Sequence, residues 1–348
     1  MITTLEQFYE ERYRALELEL MGDVGRRMGK EFPNIRAFCL EHWRRILGEA
    51  VKTQKEERAS CGYMSISLLN ISLLEEQPMF QVDFYTEDWV YGDPWSRGRM
   101  PADFLFREWE EFRKKTMDSR FYVRNKLQEI AIASLFWSTA EKILYLFACF
   151  AKYFARELAQ LPEFRALEKE DTMYVTCGTY LDWQERIYGI LPELDLTDVP
   201  ENEQTSFREF RGKTYRQQVF RDLDLRHCSF YDCTFRQCVF HNVNLSDGYF
   251  KNCRFRDTNF VEVGMAGCAW EDSDFKSCSF QGSGTRMEGD EYFAESEMTR
   301  VRFTDVKAVN CDFSHFRLKE CGEMDVDLEQ VRTENSDWSK WVEEKTDG

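Results

Sequence analysis

From residue 220 to residue 280 a large apolar side chain returns at every fifth position. The series runs Phe220, Leu225, Phe230, Phe235, Phe240, Leu245, Phe250, Phe255, Phe260, Met265, Trp270, Phe275 and Phe280. Two places before most of these lies a small residue, among them Cys228, Cys233, Cys238, Val243, Gly248, Cys253, Thr258, Cys268, Ser273 and Cys278. A helix repeats every 3.6 residues and a strand every 2, so neither puts every fifth residue on one face. A short fixed repeat predicts a solenoid, with the large and the small residue of each unit inward and the other three outward. The pattern breaks at 281–292, a Gly-rich acidic stretch expected as an extruded loop. It then resumes more loosely at Phe293, Met298, Phe303, Ala308, Phe313, Leu318, Leu328 and Trp338. Glu323 falls where a core residue belongs, so a bulge or register shift is expected there.

The first two hundred residues carry no repeat and predict a separate, mainly helical α+β domain over 1–204. Thr4 and Gln7 form a capping box for a first helix with Leu5, Phe8, Tyr9, Leu16 and Leu20 on its apolar positions. Asn34 is expected to open a second helix ending near Glu57. Two strand-like runs, 63–74 and 79–86, joined by the polar connector 75–78, predict a β-hairpin near 63–86. Helices are expected over 102–116 and over 120–160, the second whole or broken once, a strand over 172–177 and a short helix over 180–190. The segment 191–206 reads as a linker or as the approach to the solenoid, which is placed at 205–338 with an acidic tail, 339–348, after it. The run 130–150 is long enough to span a membrane, but Glu141 and Lys142 sit near its middle. Each central charge costs about 2.5–3.5 kcal/mol to insert, so a buried core helix is expected and no membrane span.

The segment 226–260 resembles the pentapeptide-repeat family, whose unit is A(D/N)LXX with Leu or Phe at the centre. Cys often stands here for the Ala, and Asp224, Asn244, Asn259 and Asp274 supply the polar residue before the centre. The resemblance covers about 207–338. It implies a right-handed quadrilateral β-helix with four units, or 20 residues, per coil. Coils would stack at about 4.8 Å, the spacing of paired strands, and the ends would need caps.

Eight of the twelve Cys (Cys228, Cys233, Cys238, Cys253, Cys268, Cys278, Cys311 and Cys321) occupy the small inward position, where they are expected as buried, reduced thiols packed like small hydrophobes. Cys233 and Cys253 stack on adjacent coils and are the pair of the strict run within disulfide reach. Cys39, Cys61, Cys149 and Cys177 are scattered, and no CxxC or zinc spacing occurs. Free thiols and the absence of signal or transit character at the start predict a reducing cytoplasm. The net charge is −17, made of −10 before residue 205, −5 over 205–330 and −2 beyond. No section is basic, so direct nucleic-acid binding is not expected.

Candidate chemistry is sparse. His42, His227, His241 and His315 have no Cys or acid pattern around them, and phosphate-loop, dinucleotide and hydrolase motifs are absent. Cys177, before Gly178, is a position for a nucleophile, but with no base to activate it a buried structural thiol is the favoured reading. Asp83 and Glu87 near the hairpin are read as solvated strand-edge carboxylates ahead of a site. No catalytic residue, metal or cofactor is therefore assigned. The favoured function is a non-enzymatic interaction scaffold with another protein as partner. One alternative comes from the resemblance: some pentapeptide-repeat proteins mimic DNA and regulate type II topoisomerases, which asks for acidic rows on the rod. The other is an enzyme of unknown class in the N-terminal domain. Two partner sites are expected. The first is the loop carrying Trp89, Trp95, Arg97 and Arg99, and the second a basic stripe of Arg236, Arg254 and Arg256.

Overall fold

A computed structural model of the chain describes residues 4–120, 129–282, 284–288, 291–321 and 324–338. It divides into two compact units, Met1–Gly189 and Ile190–Gly348.

The N-terminal unit starts with the predicted cap: Thr4 Oγ1 accepts from the Gln7 amide at 3.2 Å. Helix α1 (Leu5–Phe8) continues through a wider turn, Tyr9–Tyr13, into α2 (Arg14–Lys30). Helix α3 runs Phe32–Glu57. It opens two residues before the expected Asn34, because Pro33 has no N–H to lose in a first turn. Strand β1 (Cys61–Leu68) pairs antiparallel with β2 (Met79–Tyr85), the hairpin pair the alternation predicts. The connector departs from expectation. Residues 70–74 leave the strand as a short helix, α4 (Asn70–Leu74), because the Ser72 hydroxyl donates to Leu69 O at 2.5 Å and accepts the Met79 amide at 2.9 Å. Strand β3 (Ser96–Pro101) pairs with β2.

Two further expectations need correction. Residues 102–108 do not begin a helix; α5 spans Trp109–Ser119. Arg27 takes the Phe104 and Leu105 carbonyls at 2.5 and 3.2 Å, so they are not available to a helical ladder. Helix α6 spans Glu129–Ala155, and 156–160 tightens into a 3-10 turn before α7 (Pro162–Ala166); residues 121–128 of the expected helix lie outside the described residues. Residues 180–190 are not a helix. Strand β4 (Lys169–Thr179) turns at 180–183 into β5 (Gln184–Ile190). The turn is so close that a Cβ at Gly178 would run into the Trp183 carbonyl. The resulting sheet has the order β3-β2-β1-β4-β5, with β1 and β4 parallel. Its apolar face (Met64, Ile66, Phe80, Val82, Val175) is fully buried, as are Trp43 of α3 and Phe147 of α6.

The C-terminal unit is a right-handed quadrilateral β-helix of parallel triplet strands, the pentapeptide-repeat architecture that the resemblance implies. Stacked residues lie 20 apart: Phe235 pairs with Tyr215 on one side and Phe255 on the other. The inward centres form aromatic columns. The rings of Phe230 and Phe250 are 4.8 Å apart and 1° from parallel, those of Phe240 and Phe260 5.2 Å and 6°, and those of Phe260 and Phe280 4.7 Å and 3°. Phe220 lies 4.9 Å from Phe240 with the rings tilted by 35°, and Phe255 stacks on Phe275 at 5.0 Å.

The small inward residue has a second task. Its side chain donates to a carbonyl of the preceding coil: Cys253 to Phe230 O at 3.4 Å, Cys268 to Leu245 O at 3.1 Å and Thr258 to Phe235 O at 3.3 Å. That is a reason for Cys, Ser and Thr where the family unit has Ala. At each corner one residue takes a positive φ, for example Asp222 (55°), Asn242 (52°) and Asn252 (52°). Asn and Asp tolerate this region better than most residues, and the corner amide gains a bond to the next coil, as Asp222 N to His241 O at 3.1 Å.

Leu194 and Leu196 join the solenoid core, so of the two readings of 191–206 the approach to the solenoid holds, and the compact unit begins at Ile190, ahead of 205. Arg208, only 4% exposed, bonds the Gln204 carbonyl at 2.7 Å and the Pro192 carbonyl, closing that end. At the other end Trp338 is fully buried and stacks on Phe313 at 4.9 Å. Within 281–292 the chain forms a strand, Gly284–Glu288, that pairs antiparallel with Glu291–Thr299. Phe293 pairs with Arg286 in that hairpin and is not a coil centre; the coil resumes at buried Met298. Across the insertion the offset between stacked residues rises from 20 to 33. Glu323 lies outside the described residues, while a register shift is present between Phe303 and Val306 against their partners Met324 and Val326.

Candidate interaction surface

The Trp-bearing loop between β2 and β3 is occupied by the fold. Trp89 lays its ring on Tyr63, 5.1 Å between centroids and 14° from parallel, and donates Nε1–H to Ser65 Oγ at 3.1 Å. Trp95 packs on Phe84 at 5.5 Å. Arg97 Nε donates to Asp83 Oδ1 at 2.8 Å, and this bond holds the guanidinium above its ordinary pKa. Asp83 is 1% exposed and accepts also from Gln81 Nε2 at 2.9 Å. It is thus a buried, paired carboxylate and not the solvated one expected, whereas Glu87 is exposed. Only Arg99 of the four loop candidates stays exposed without a side-chain bond among the described residues. Trp109 lies elsewhere, buried against Phe106 and Phe112.

Sheet register shows what sequence reading missed here. Arg97, Asp83, Ser65 and Thr176 lie directly opposite one another on β3, β2, β1 and β4. Thr176 Oγ1 donates to Ser65 Oγ at 3.1 Å, so a polar row crosses the sheet under Trp89. Bonded to Arg97 and Gln81, Asp83 anchors the loop. Cys177 is fully buried, and burial raises its thiol pKa. Among the described residues no group of three metal-ligating side chains converges.

The second expected site is more open. One place after the centres Tyr215, Phe235, Phe255 and Phe275 stand Arg216, Arg236, Arg256 and Lys276, in register from coil to coil. All four are exposed, as is Arg254 on the same face. None has a carboxylate within ion-pair distance among the described residues. Several other solenoid cations are paired, as in Lys251–Glu271 at 2.5 Å, Arg226–Asp224 at 2.8 Å and Lys319–Glu297 at 2.5 Å. Asp274 stands in register above Arg254 without closing a bridge. At a rung spacing of about 4.8 Å, neighbouring like charges repel by about 0.9 kcal/mol in water. Arg216 was not picked out in the sequence because its coil centre is Tyr215, ahead of the strict run.

Against known proteins, the sequence model of the SV2A/B/C luminal domain family (LD_SV2) matches residues 207–281. No curated protein matches the chain. Among solved structures the chain is similar to Rfr23, a pentapeptide repeat protein of the cyanobacterium Cyanothece 51142, with 8% identity over 37% of this chain and 91% of that one (TM-score 0.28). It is also similar to a trypsin-treated form of QnrB1, a plasmid-mediated fluoroquinolone resistance protein, with 13% identity over 38% and 76% (TM-score 0.21). A third is HetL, a pentapeptide repeat protein involved in heterocyst differentiation regulation in Nostoc sp. strain PCC 7120, with 9% identity over 38% and 87% (TM-score 0.11). The N-terminal unit is not matched by these structures.

Proposed function

We propose that the protein is a non-enzymatic recognition scaffold whose solenoid presents the column Arg216, Arg236, Arg256 and Lys276 to a partner protein. One observation carries this reading: four cations held in register on stacked, aromatic-cored coils, with no carboxylate within ion-pair distance among the described residues. Rigidity matters because an ordered row gives up little conformational entropy on binding. Trp89, Trp95 and Arg97 are committed to internal contacts, so the column ranks ahead of the loop. The twelve free thiols support a reducing compartment. Helix α6 is long and apolar enough to cross a membrane; we read it as a core helix, because Lys142 is bound by Glu17 and one side of the helix is buried.

DNA-mimicking regulation of a type II topoisomerase is the weaker reading. It needs continuous acidic rows, and amides interrupt the corner columns here: Asn242 donates to Asp222 at 2.7 Å and Asn252 to Asp232 at 2.5 Å. The test is affinity purification of a partner from the host with wild type and with Arg236→Ala/Arg256→Ala. Loss of a defined partner in the variant supports the scaffold. Retention of it, or capture of a topoisomerase subunit regardless of the variant, overturns the assignment to this column.

A further inference from the structure

We infer, on the basis of that scaffold reading, that the column receives an acidic α-helix whose carboxylates stand at i, i+3, i+7 and i+10. The argument is one of register. Paired strands repeat at about 4.8 Å, so the four cations span about 14.4 Å in nearly equal steps. A helix rises about 1.5 Å per residue, which places those four carboxylates at about 0, 4.5, 10.5 and 15 Å along one stripe. Each lies within about 1 Å of a cation, well inside the reach of a Glu side chain meeting an Arg fork. An extended peptide places same-side residues about 6.7 Å apart and is out of step by about 6 Å at the fourth rung.

The shape of the face agrees. The triplet strands make a flat strip about 10 Å wide, the diameter of a helix. Short Thr214 and Thr234 flank the first two rungs on one side and the corner residues Gln217 and Gln237 on the other. Just around that corner Val219, 58% exposed, stacks in register with Val239. An amphipathic helix with apolar residues beside its acidic stripe meets both features. Nucleic acid is the less suitable polyanion. Four or five cations on a chain of net charge −17 neutralise few phosphates, and the rest of the surface repels the duplex.

The experiment titrates the full chain into a labelled 18-residue helical peptide with Glu at i, i+3, i+7 and i+10. Controls are a peptide of the same composition with its Glu residues spread round the helix, an extended peptide with Glu at alternate positions, and a short DNA duplex. The expected result is at least about tenfold tighter binding of the striped helix than of the scrambled one, and a loss of about tenfold or more in Arg236→Ala/Arg256→Ala. Arg236→Glu/Arg256→Glu should reject the acidic helix and accept one with Lys at the striped positions, with thermal melts unchanged in all variants. Equal binding of striped and scrambled helices overturns the proposal. If the extended peptide binds best and still needs Arg236 and Arg256, the helix is wrong and the scaffold stands. If no peptide responds to the variants, both fall. Duplex DNA binding above the striped helix moves the surface to nucleic acid and also overturns it.

Discussion

Lys142 donates to both carboxylate oxygens of Glu17, each at 2.8 Å. Glu17 is 5% exposed and comes from α2, while Lys142 sits in the middle of the apolar α6. Thr139 Oγ1, one turn earlier on α6, donates to Glu17 Oε1 at 2.6 Å and lies 2.6 Å from the Tyr13 hydroxyl. The charge that argued against a membrane span in the sequence is thus the clasp that fixes α6 against α2.

Removing one side of this clasp leaves a buried carboxylate short of donors. Lys142→Ala should cost about 1–3 kcal/mol. Lys142→Ala together with Glu17→Ala should cost less than the sum of the singles, and urea melts of the double-mutant cycle measure the difference. Additive losses would remove the coupling.

Phe255 touches ring neighbours above and below, Phe235 at 4.8 Å and Phe275 at 5.0 Å. Phe255→Ala should cost about 3–5 kcal/mol, the usual range for an aromatic cavity. Lys251→Ala, which breaks only the partly exposed bridge to Glu271, should cost no more than about 1 kcal/mol. Denaturant melts with similar losses for both would reverse the inward and outward assignments.

Ten of the twelve thiols are buried, and Cys149 and Cys321 are half-buried. Burial raises the Cys228 and Cys61 thiols to about 12, and lifts Cys39 and Cys177 as well. A dye must also reach the sulfur, so at pH 8 it should label the half-buried Cys149 and Cys321 first and the ten buried thiols only on unfolding. Early labelling of Cys233 or Cys253, or a disulfide between them in protein from a reducing cytosol, contradicts the packing.

Bonds from Arg226 to Asp224 and from Lys319 to Glu297 hold these carboxyls below their ordinary pKa. A carboxyl depressed in the folded state stabilises above its unfolded pKa of about 4 and loses that contribution as pH falls. Urea midpoints should therefore be level above about pH 5 and fall below about pH 4. Glu297→Gln should soften the fall, and an unchanged acid slope would show that this pair contributes nothing.

The period of five was legible because one large and one small inward residue per unit leave a mark no helix or strand can make. The N-terminal unit was legible only in part. Ser72 bends a run whose composition alone reads as strand, and Arg27, far away in the chain, takes the carbonyls of 104 and 105 from a helix. Residues 180–190 look helical until the Gly178 turn folds them back on β4. Leu194 and Leu196 belong to no period, so the sequence leaves 191–206 open between a linker and the approach to the solenoid. Of the candidate surface, Arg236, Arg254 and Arg256 stood out by position, but the absence of an ion-pair partner among the described residues did not. That depends on which acids stack beside them, and in the same way only Asp83 across β2 and β3 reveals that Arg97 is taken.

The long coil between Trp270 and Phe303 bears on how this protein folds. In a stack where each coil touches only its neighbours, cooperativity passes from coil to coil. Closing a coil with an offset of 33 in place of 20 adds about 0.4 kcal/mol of chain entropy at one junction. That junction is where the chain most readily separates into foldons, the earlier coils nucleating among themselves and the later ones condensing upon them. Amide exchange should accordingly show the strands up to residue 281 opening as a slow block and those beyond 302 as a faster one.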